Sequence, residues 1–122
     1  MAHPAPLSEP EAVIHRYFTA FQRRALEEML SLFDDDVRGI YPSEPQRDWR
    51  GREAAAQVLN GYFSRFPDMK LEWRIERSQP EPDSSGVAFY MRNHAVAAGM
   101  DKRMFLKYVV SGGRILRVVH LE

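Results

Sequence analysis

The chain has 122 residues, of which 44% are hydrophobic and 11% aromatic, a composition typical of one globular domain with a single core. Its 17 basic residues (lysine and arginine) equal its 17 acidic residues, and this zero net charge argues against general binding to nucleic acid. Cysteine is absent, which excludes disulfides, thiolate nucleophiles and cysteine-ligated metals.

The N-terminal sequence, Met-Ala-His-Pro-Ala-Pro, lacks the basic region and following apolar run of a signal peptide. No window of the sequence approaches the ~18 apolar residues that a membrane span needs. We therefore expect a cytoplasmic protein that does not bind membranes. It should have a short flexible lead over residues 1–7 and a single domain over residues 8–122.

The first half of the chain predicts three helical segments and one short strand. Ser8 can cap a helix that continues to residue 22, because Glu11 follows three residues later as in a capping box. Apolar residues at helical spacing predict further helices over residues 26–33 and 52–66. A short strand is predicted over residues 37–41, followed by a loop that contains Trp49.

The second half of the chain predicts four antiparallel strands. Residues 70–77 alternate between apolar and charged side chains, and long strands should follow over residues 87–97 and 103–110. A glycine pair then favours a tight turn before a last strand over residues 115–121. Helices packed on one face of such a sheet define an α+β fold.

The last hairpin has two possible registers. If Ser111 pairs with Arg114, Tyr108 faces Arg117, and His120 lies on the opposite face of the sheet. A three-residue turn instead places His120 on the same face as Tyr108. We favour the second register because it avoids burying Arg117.

Five short stretches of the chain resemble the NTF2-like superfamily, which includes ketosteroid isomerases and SnoaL-type polyketide cyclases. The resemblance implies a cone in which N-terminal helices pack on a curved antiparallel sheet and enclose an apolar pocket. It also implies a small apolar ligand, no cofactor and a homodimer that pairs through the outer sheet face, where we place Val109 and Phe105. The matching stretches, in chain order, are Arg16–Ala20, Leu32–Val37, Trp49–Ala54, Phe66–Met69 and Gly112–Ile115.

The chain departs from the two best-known chemistries of that superfamily. Ketosteroid isomerases use a carboxylate base and an oxyanion hole of a tyrosine and a protonated aspartic acid. Tyr17 matches the tyrosine, but Tyr41 stands where the base is required and Leu106 near the position of the acid. Limonene-type epoxide hydrolases need paired interior aspartates, whereas Glu72 and Glu76 should face solvent. Both reactions are therefore disfavoured.

A SnoaL-type cyclisation has lighter requirements: one acid/base group and a shaped apolar cavity. His94 and His120 are the best titratable candidates, and Tyr17 and Tyr41 can donate hydrogen bonds to a ligand carbonyl. Either histidine can equally be a solvent-facing or satisfied core residue, and a buried tyrosine pairs its hydroxyl in any fold. Arg92 shares a strand face with His94, so the two either bind an anionic oxygen together or face a dimer partner.

The remaining candidates supply binding surface. Trp49 is either a lid or a hydrophobic plug at the pocket rim. The run Asp34-Asp35-Asp36 reads as a solvated helix end that could bind a cation weakly, and the histidines show no metal spacing. The function expected is an acid/base cyclase or isomerase for an apolar or polyketide-like molecule; the alternative is a non-catalytic binding or interaction module. The expected substrate-binding residues are Phe21, Trp49, Phe63, Phe66, Arg92, Met104, Leu106 and Tyr108.

Overall fold

The computed structural model describes residues 7–122, so most of the predicted lead lies outside the described residues. Three helices and six strands follow one another in the described range, with a short 3-10 turn at Pro45–Arg47. The helices are α1 (Glu9–Gln22), α2 (Leu26–Ser31) and α3 (Arg52–Arg65). The strands are β1 (Phe33–Ile40), β2 (Trp49–Arg50), β3 (Lys70–Pro80), β4 (Val87–Ala97), β5 (Met100–Ser111) and β6 (Arg114–His120).

The strands form one sheet in the order β2-β1-β6-β5-β4-β3. The predicted antiparallel run of four strands is confirmed, because β3, β4, β5 and β6 pair consecutively. Strand β1, however, pairs parallel to β6, so the sheet is mixed rather than purely antiparallel. This pairing brings the N-terminal half of the chain onto the edge left by the last hairpin.

Helix α1 begins where the sequence predicts. The Ser8 hydroxyl accepts a hydrogen bond from the Glu11 backbone N–H at 3.3 Å, which satisfies one of the free donors of the first turn. Val13, Ile14 and Phe18 on its apolar stripe are at most 1% exposed, and they pack into the core. The helix thereby covers the inner face of the sheet. None of the helices in residues 7–122 has the length and apolarity required to cross a membrane.

The acidic run Asp34-Asp35-Asp36 lies in strand β1, not at a helix end. Strand pairing with β6 extends the backbone here, and ion pairs hold two of the carboxylates: Asp36 binds Arg50 at 2.5 Å and Asp35 binds Arg52 at 3.0 Å. Within residues 7–122 no group of three acidic or histidine side chains is arranged to hold a metal ion. Trp49, predicted in a loop, forms β2 with Arg50 and pairs with β1.

The last hairpin combines the two registers that the sequence allowed. Ser111 pairs with Arg114 across a two-residue turn, so the three-residue turn that we favoured is wrong. A bulge at Leu116 then shifts the register by one residue, because Val110 pairs with Ile115 and Val109 with Arg117. Beyond the bulge Tyr108 pairs with Val118 and Leu106 with His120, so His120 lies on the inner face of the sheet.

Candidate functional site

An apolar cavity of about 90 Å³ lies between the inner sheet face and helices α1 and α3. It is smaller than the ~300–1,000 Å³ of typical ligand pockets, so a larger ligand requires its walls to move. Its methionine side chains can move readily because they are unbranched and flexible. Several residues that line the cavity were not predicted; they include Tyr62, Met69, Leu71, Ala95 and Met100.

Most of the predicted residues reach this cavity. Three predicted binding residues do not line it: Arg92, Phe63 and Phe66. Phe63 packs edge-to-face on Phe21 at 5.3 Å, and Phe66 lies 5.5 Å from the Arg65 guanidinium, at the margin of the core. The candidate residues at the cavity wall are Tyr17, Phe21, Tyr41, Trp49, Met104, Leu106, Tyr108 and His120.

Tyr17 and Tyr108 form a buried pair between α1 and β5. Their ring centroids are 5.8 Å apart, and a contact between the hydroxyls lowers the pKa of Tyr17 and raises that of Tyr108. Burial is the larger effect and raises the pKa of both groups well above the usual value, so both are neutral at pH 7. As a neutral hydroxyl at the cavity wall, Tyr17 can donate a hydrogen bond to an oxygen atom of a ligand.

His120 and Tyr41 form a second polar wall. Their rings stack with centroids 4.1 Å apart and planes 8° apart. Burial lowers the pKa of His120 to about 4, and the nearby charges of Lys102 and Arg47 contribute in the same direction. Burial likewise raises the pKa of Tyr41. At pH 7 the imidazole is neutral and offers one donor and one acceptor, but it is a weak base.

Trp49 closes one side of the cavity and packs directly on Gly39. A Cβ atom at position 39 would lie only 2.0 Å from Cε2 of the indole, so the ring needs a glycine beneath it. The indole Nε1 is near enough to the Tyr41 hydroxyl to lower its pKa slightly. Nevertheless, among the described residues Nε1 has no hydrogen bond of acceptable geometry. A buried donor therefore borders the cavity.

Asn93 is a cavity residue that is not among the predicted ones. It lies on the inner face of β4, opposite Trp73 on β3 and Met104 on β5, and it is 5% exposed. Its Oδ1 is buried without a hydrogen-bond partner in the described part of the chain. Leaving such an acceptor unsatisfied costs about 1–3 kcal/mol, unless a water or a ligand supplies the donor. The sequence signal that could have identified Asn93 is a polar residue among the otherwise apolar inward positions of β4.

The mouth of the cavity is polar and carries charged side chains of both signs. Lys102 lies on the inner face of β5, two residues before Met104, and lines both the cavity and a depression at its mouth. Arg47 sits over the Tyr41 ring at 4.4 Å, at the same opening. Lys102 was not predicted either, because its exposed position at a strand end resembles an ordinary surface lysine.

His94 and Arg92 lie on the opposite, outer face of the sheet and do not line the cavity. His94 Nε2 is 2.6 Å from Asp101 Oδ1, and Arg92 pairs with Glu76 at 3.1 Å. The alternation of β4 explains this placement, because inward Asn93 stands between them. Of the two alternatives, joint binding of an oxygen in the pocket is therefore wrong, and contact with a dimer partner stays a prediction.

The cavity wall carries no carboxylate among the described residues. Tyr41 and Leu106, which the sequence resemblance matched to the base and the protonated acid of a ketosteroid isomerase, both line it. The wall instead offers neutral hydroxyl, amide and imidazole groups. These groups can orient and polarise a ligand oxygen, and His120 can accept a proton only weakly.

Helices that cap a curved sheet over an apolar cavity define an α+β protein of the NTF2-like class. A family model described as the SnoaL-like domain matches residues 14–118, and the chain belongs to this family. No curated protein is similar enough in sequence to be counted as a relative.

Several solved structures share the fold. Rv0760c of Mycobacterium tuberculosis is 18% identical with a TM-score of 0.72, and the match covers 98% of this chain and 94% of that one. It has also been solved in complex with estradiol-17beta-hemisuccinate. An LEH-like epoxide hydrolase of M. tuberculosis is 15% identical with a TM-score of 0.69, covering 92% of this chain and 76% of that one. A proposed polyketide cyclase of Xanthomonas campestris is 20% identical with a TM-score of 0.65, covering 92% and 88%. At these identities the similarity establishes the fold alone.

Proposed function

We propose that this protein binds a small, largely apolar molecule that carries at least one hydrogen-bonding group. The observation that carries the proposal is Asn93, whose buried Oδ1 borders an apolar cavity without a partner. Apolar walls supply the affinity for the body of the ligand, while a few polar groups select its orientation. The steroid conjugate bound by Rv0760c, a protein of the same fold, is a molecule of this general kind.

The ligand should lie over Met104, because polar groups surround that residue on the inner face. Asn93 is directly opposite Met104, and His120 is opposite the next inward residue, Leu106. From α1, the Tyr17 hydroxyl reaches the same cavity. A ligand with an oxygen on one ring or chain would therefore meet a donor on either side.

If the protein is an enzyme, the reaction is an acid/base cyclisation or isomerisation that needs no cofactor. His120 would take the proton and Tyr17 would stabilise the developing oxyanion. The absence of carboxylates from the described cavity wall and the low pKa of His120 favour the alternative, a binding module without turnover. His120→Gln separates the two, since it should abolish turnover of any identified substrate yet change its affinity less than threefold.

Mass spectrometry of small molecules that co-purify with the protein tests the binding proposal. Ala95 lines the cavity and is 2% exposed, so Ala95→Leu should fill space and remove the co-purifying compound. Val96→Leu is the matched control, because this neighbour is 42% exposed and lies on the other sheet face. Equal recovery of the compound from both variants would contradict the proposed site.

A homodimer through the outer sheet face is part of the proposal. That face carries half-buried Phe105, which stacks on Tyr90 at 6.0 Å and under the Arg92 guanidinium at 4.0 Å. Val109, which we expected on the dimer surface, is fully buried within the single chain and does not contribute. Light scattering should give twice the 14.2 kDa of one chain; a mass of one chain would exclude the dimer. The cytoplasmic location, and the division into a lead and one domain, stay predictions.

A further inference from the structure

Lys102 is the one cavity-lining side chain within residues 7–122 that is charged at pH 7. It reaches the inner face because β5 alternates, with Met100, Lys102 and Met104 inward and Asp101 and Arg103 outward. Among the described residues its ammonium group makes no ion pair. A cation that borders an apolar cavity without a counter-ion attracts an anion; because Lys102 is exposed, water screens part of this attraction.

The carboxylates near the opening are engaged elsewhere. Glu44 contacts Arg47 at 3.5 Å, and Glu122 reaches toward Arg92 on the outer face at 3.9 Å. Neither neutralises Lys102. Lys102 is therefore the cation at this opening that has no ion pair among the described residues, and it can hold a negatively charged group of a ligand.

Hydrogen-bonding groups lie beside this charge on the same sheet face. Lys102 pairs with Ala95, and Asn93 is two residues further along the same strand, opposite Met104. Diagonal neighbours of this kind are ~7–8 Å apart, within reach of a long side chain such as lysine. An acidic group held by the ammonium would therefore also lie within reach of the Asn93 amide nitrogen, which can donate a hydrogen bond to it.

We propose that the ligand of this cavity is an amphipathic carboxylate, with its apolar body inside and its carboxylate at Lys102. The inference rests on the proposed function and adds the chemical class of the ligand. The apolar depth of the cavity, bordered by Leu106 and Leu71, accepts the body. The unpaired ammonium of Lys102 selects a negatively charged end group over a neutral one.

A matched pair of probes, octanoate and 1-octanol, tests this inference. The two have the same chain length, and octanoate is ionised at pH 7. Binding is measured by titration calorimetry, and the indole N–H signal of Trp49 in NMR spectra reports whether the probe enters the cavity. Octanoate should bind about tenfold more tightly than 1-octanol, since a charge-assisted contact contributes that much.

Lys102→Met removes the charge but keeps an unbranched apolar stem. It should weaken octanoate about tenfold and leave 1-octanol unchanged. Arg103→Met is the matched control, because it removes the same charge one residue away on the outer face, and it should change neither affinity. Circular dichroism confirms that each variant is folded.

The possible failures are distinguishable. If both probes shift the Trp49 signal but octanoate has no advantage, or keeps it in Lys102→Met, the carboxylate inference is overturned and the binding proposal stands. If neither probe perturbs Trp49 in the wild-type protein, both proposals fall.

Discussion

His120 is kept neutral by its surroundings rather than by its own chemistry. Its ring is largely buried against Tyr41, and Lys102 and Arg47 both disfavour a second positive charge. Glu44 and Glu122 border the same opening without offsetting this effect. A histidine in such a place is a hydrogen-bonding group at pH 7 more than a proton carrier.

The low pKa of His120 predicts a loss of stability in mild acid. The unfolded chain takes up the proton near pH 6.5, whereas the folded protein resists it until about pH 4. The unfolded state thus binds more protons in this window, so the free energy of unfolding falls as the pH falls from 6.5 to 4. The loss should not exceed about 3 kcal/mol.

Urea denaturation of the wild-type protein and His120→Gln at several pH values measures this contribution. The carboxylates titrate in both proteins, so the difference between the two curves isolates His120. We expect that difference to be constant above pH 7 and to shrink below it. Parallel curves from pH 7 to pH 4 would show that His120 is not held neutral.

We expect Asn93 to lower the stability of the ligand-free protein and to strengthen ligand binding. Asn93→Leu removes an acceptor that is buried without a partner, and we expect the ligand-free protein to gain about 1 kcal/mol. The same change should weaken the binding of 1-octanol, which would lose a hydrogen bond. Urea denaturation and calorimetry measure the two effects.

Asn60→Leu is the control for this substitution, since Asn60 is exposed on α3 and the change should stay within about 0.5 kcal/mol. A clear destabilisation by Asn93→Leu would mean that a water satisfies the amide in the free protein. The argument from Asn93 to a ligand would then lose its basis.

At the scale of elements, the short strand β2 fixes the position of one side chain, that of Trp49. It pairs with β1 through Gly39 and Trp49 and lays the indole across the glycine. The following Gly51, at φ 92°, turns the chain directly into α3, which covers the cavity from the other side. A side chain added at Gly39 should therefore displace Trp49 and disturb the cavity wall.

Gly39→Ala should displace Trp49, because the new Cβ would lie 2.0 Å from the indole. We expect a destabilisation of about 2 kcal/mol and a red-shifted tryptophan fluorescence. Gly61→Ala is the control: nothing lies within 4 Å of the new methyl group, and the residue is inside α3. That variant should gain about 0.5–1 kcal/mol, since alanine favours the helix. Unchanged fluorescence in Gly39→Ala would contradict the packing.

At the scale of the whole molecule, the buried carboxylate of Glu81 links the connection between β3 and β4 to strands β5 and β6. The Glu81 side chain is 8% exposed, 3.0 Å from Lys107 and 3.3 Å from Arg117. Its backbone N–H donates to the Gly86 carbonyl at 2.8 Å, which closes the connection. The two cations come from β5 and β6, so Glu81 joins three parts of the chain.

Glu81→Gln should destabilise the protein by about 3 kcal/mol, because it removes the counter-charge of partly buried Lys107 and leaves Arg117 only exposed Asp83 at 3.9 Å. Glu76→Gln removes the same charge from an exposed pair with Arg92 and should cost less than about 1 kcal/mol. Thermal or urea unfolding measures both. Equal effects would show that Glu81 is no more than a surface partner.

Sequence patterns predicted elements well where the signal was local. The Ser8 cap, the apolar stripe of α1 and the alternation of β3 each depend on neighbouring residues, and each appears in the structure. The acidic run at residues 34–36 was misplaced, because its strand is stabilised by β6, more than 75 residues away. Local propensity carries no information about such a partner.

The sequence by itself determined the α+β class, the family and the apolar, carboxylate-poor character of the candidate site. Only the tertiary structure decided which side chains share the cavity. His120 reaches the cavity because a bulge at Leu116 shifts its register. Asn93 and Lys102 reach it because their side chains lie on the sheet face that α1 and α3 cover. Alternation tells which residues share a face, but long-range packing alone determines which face is the inside.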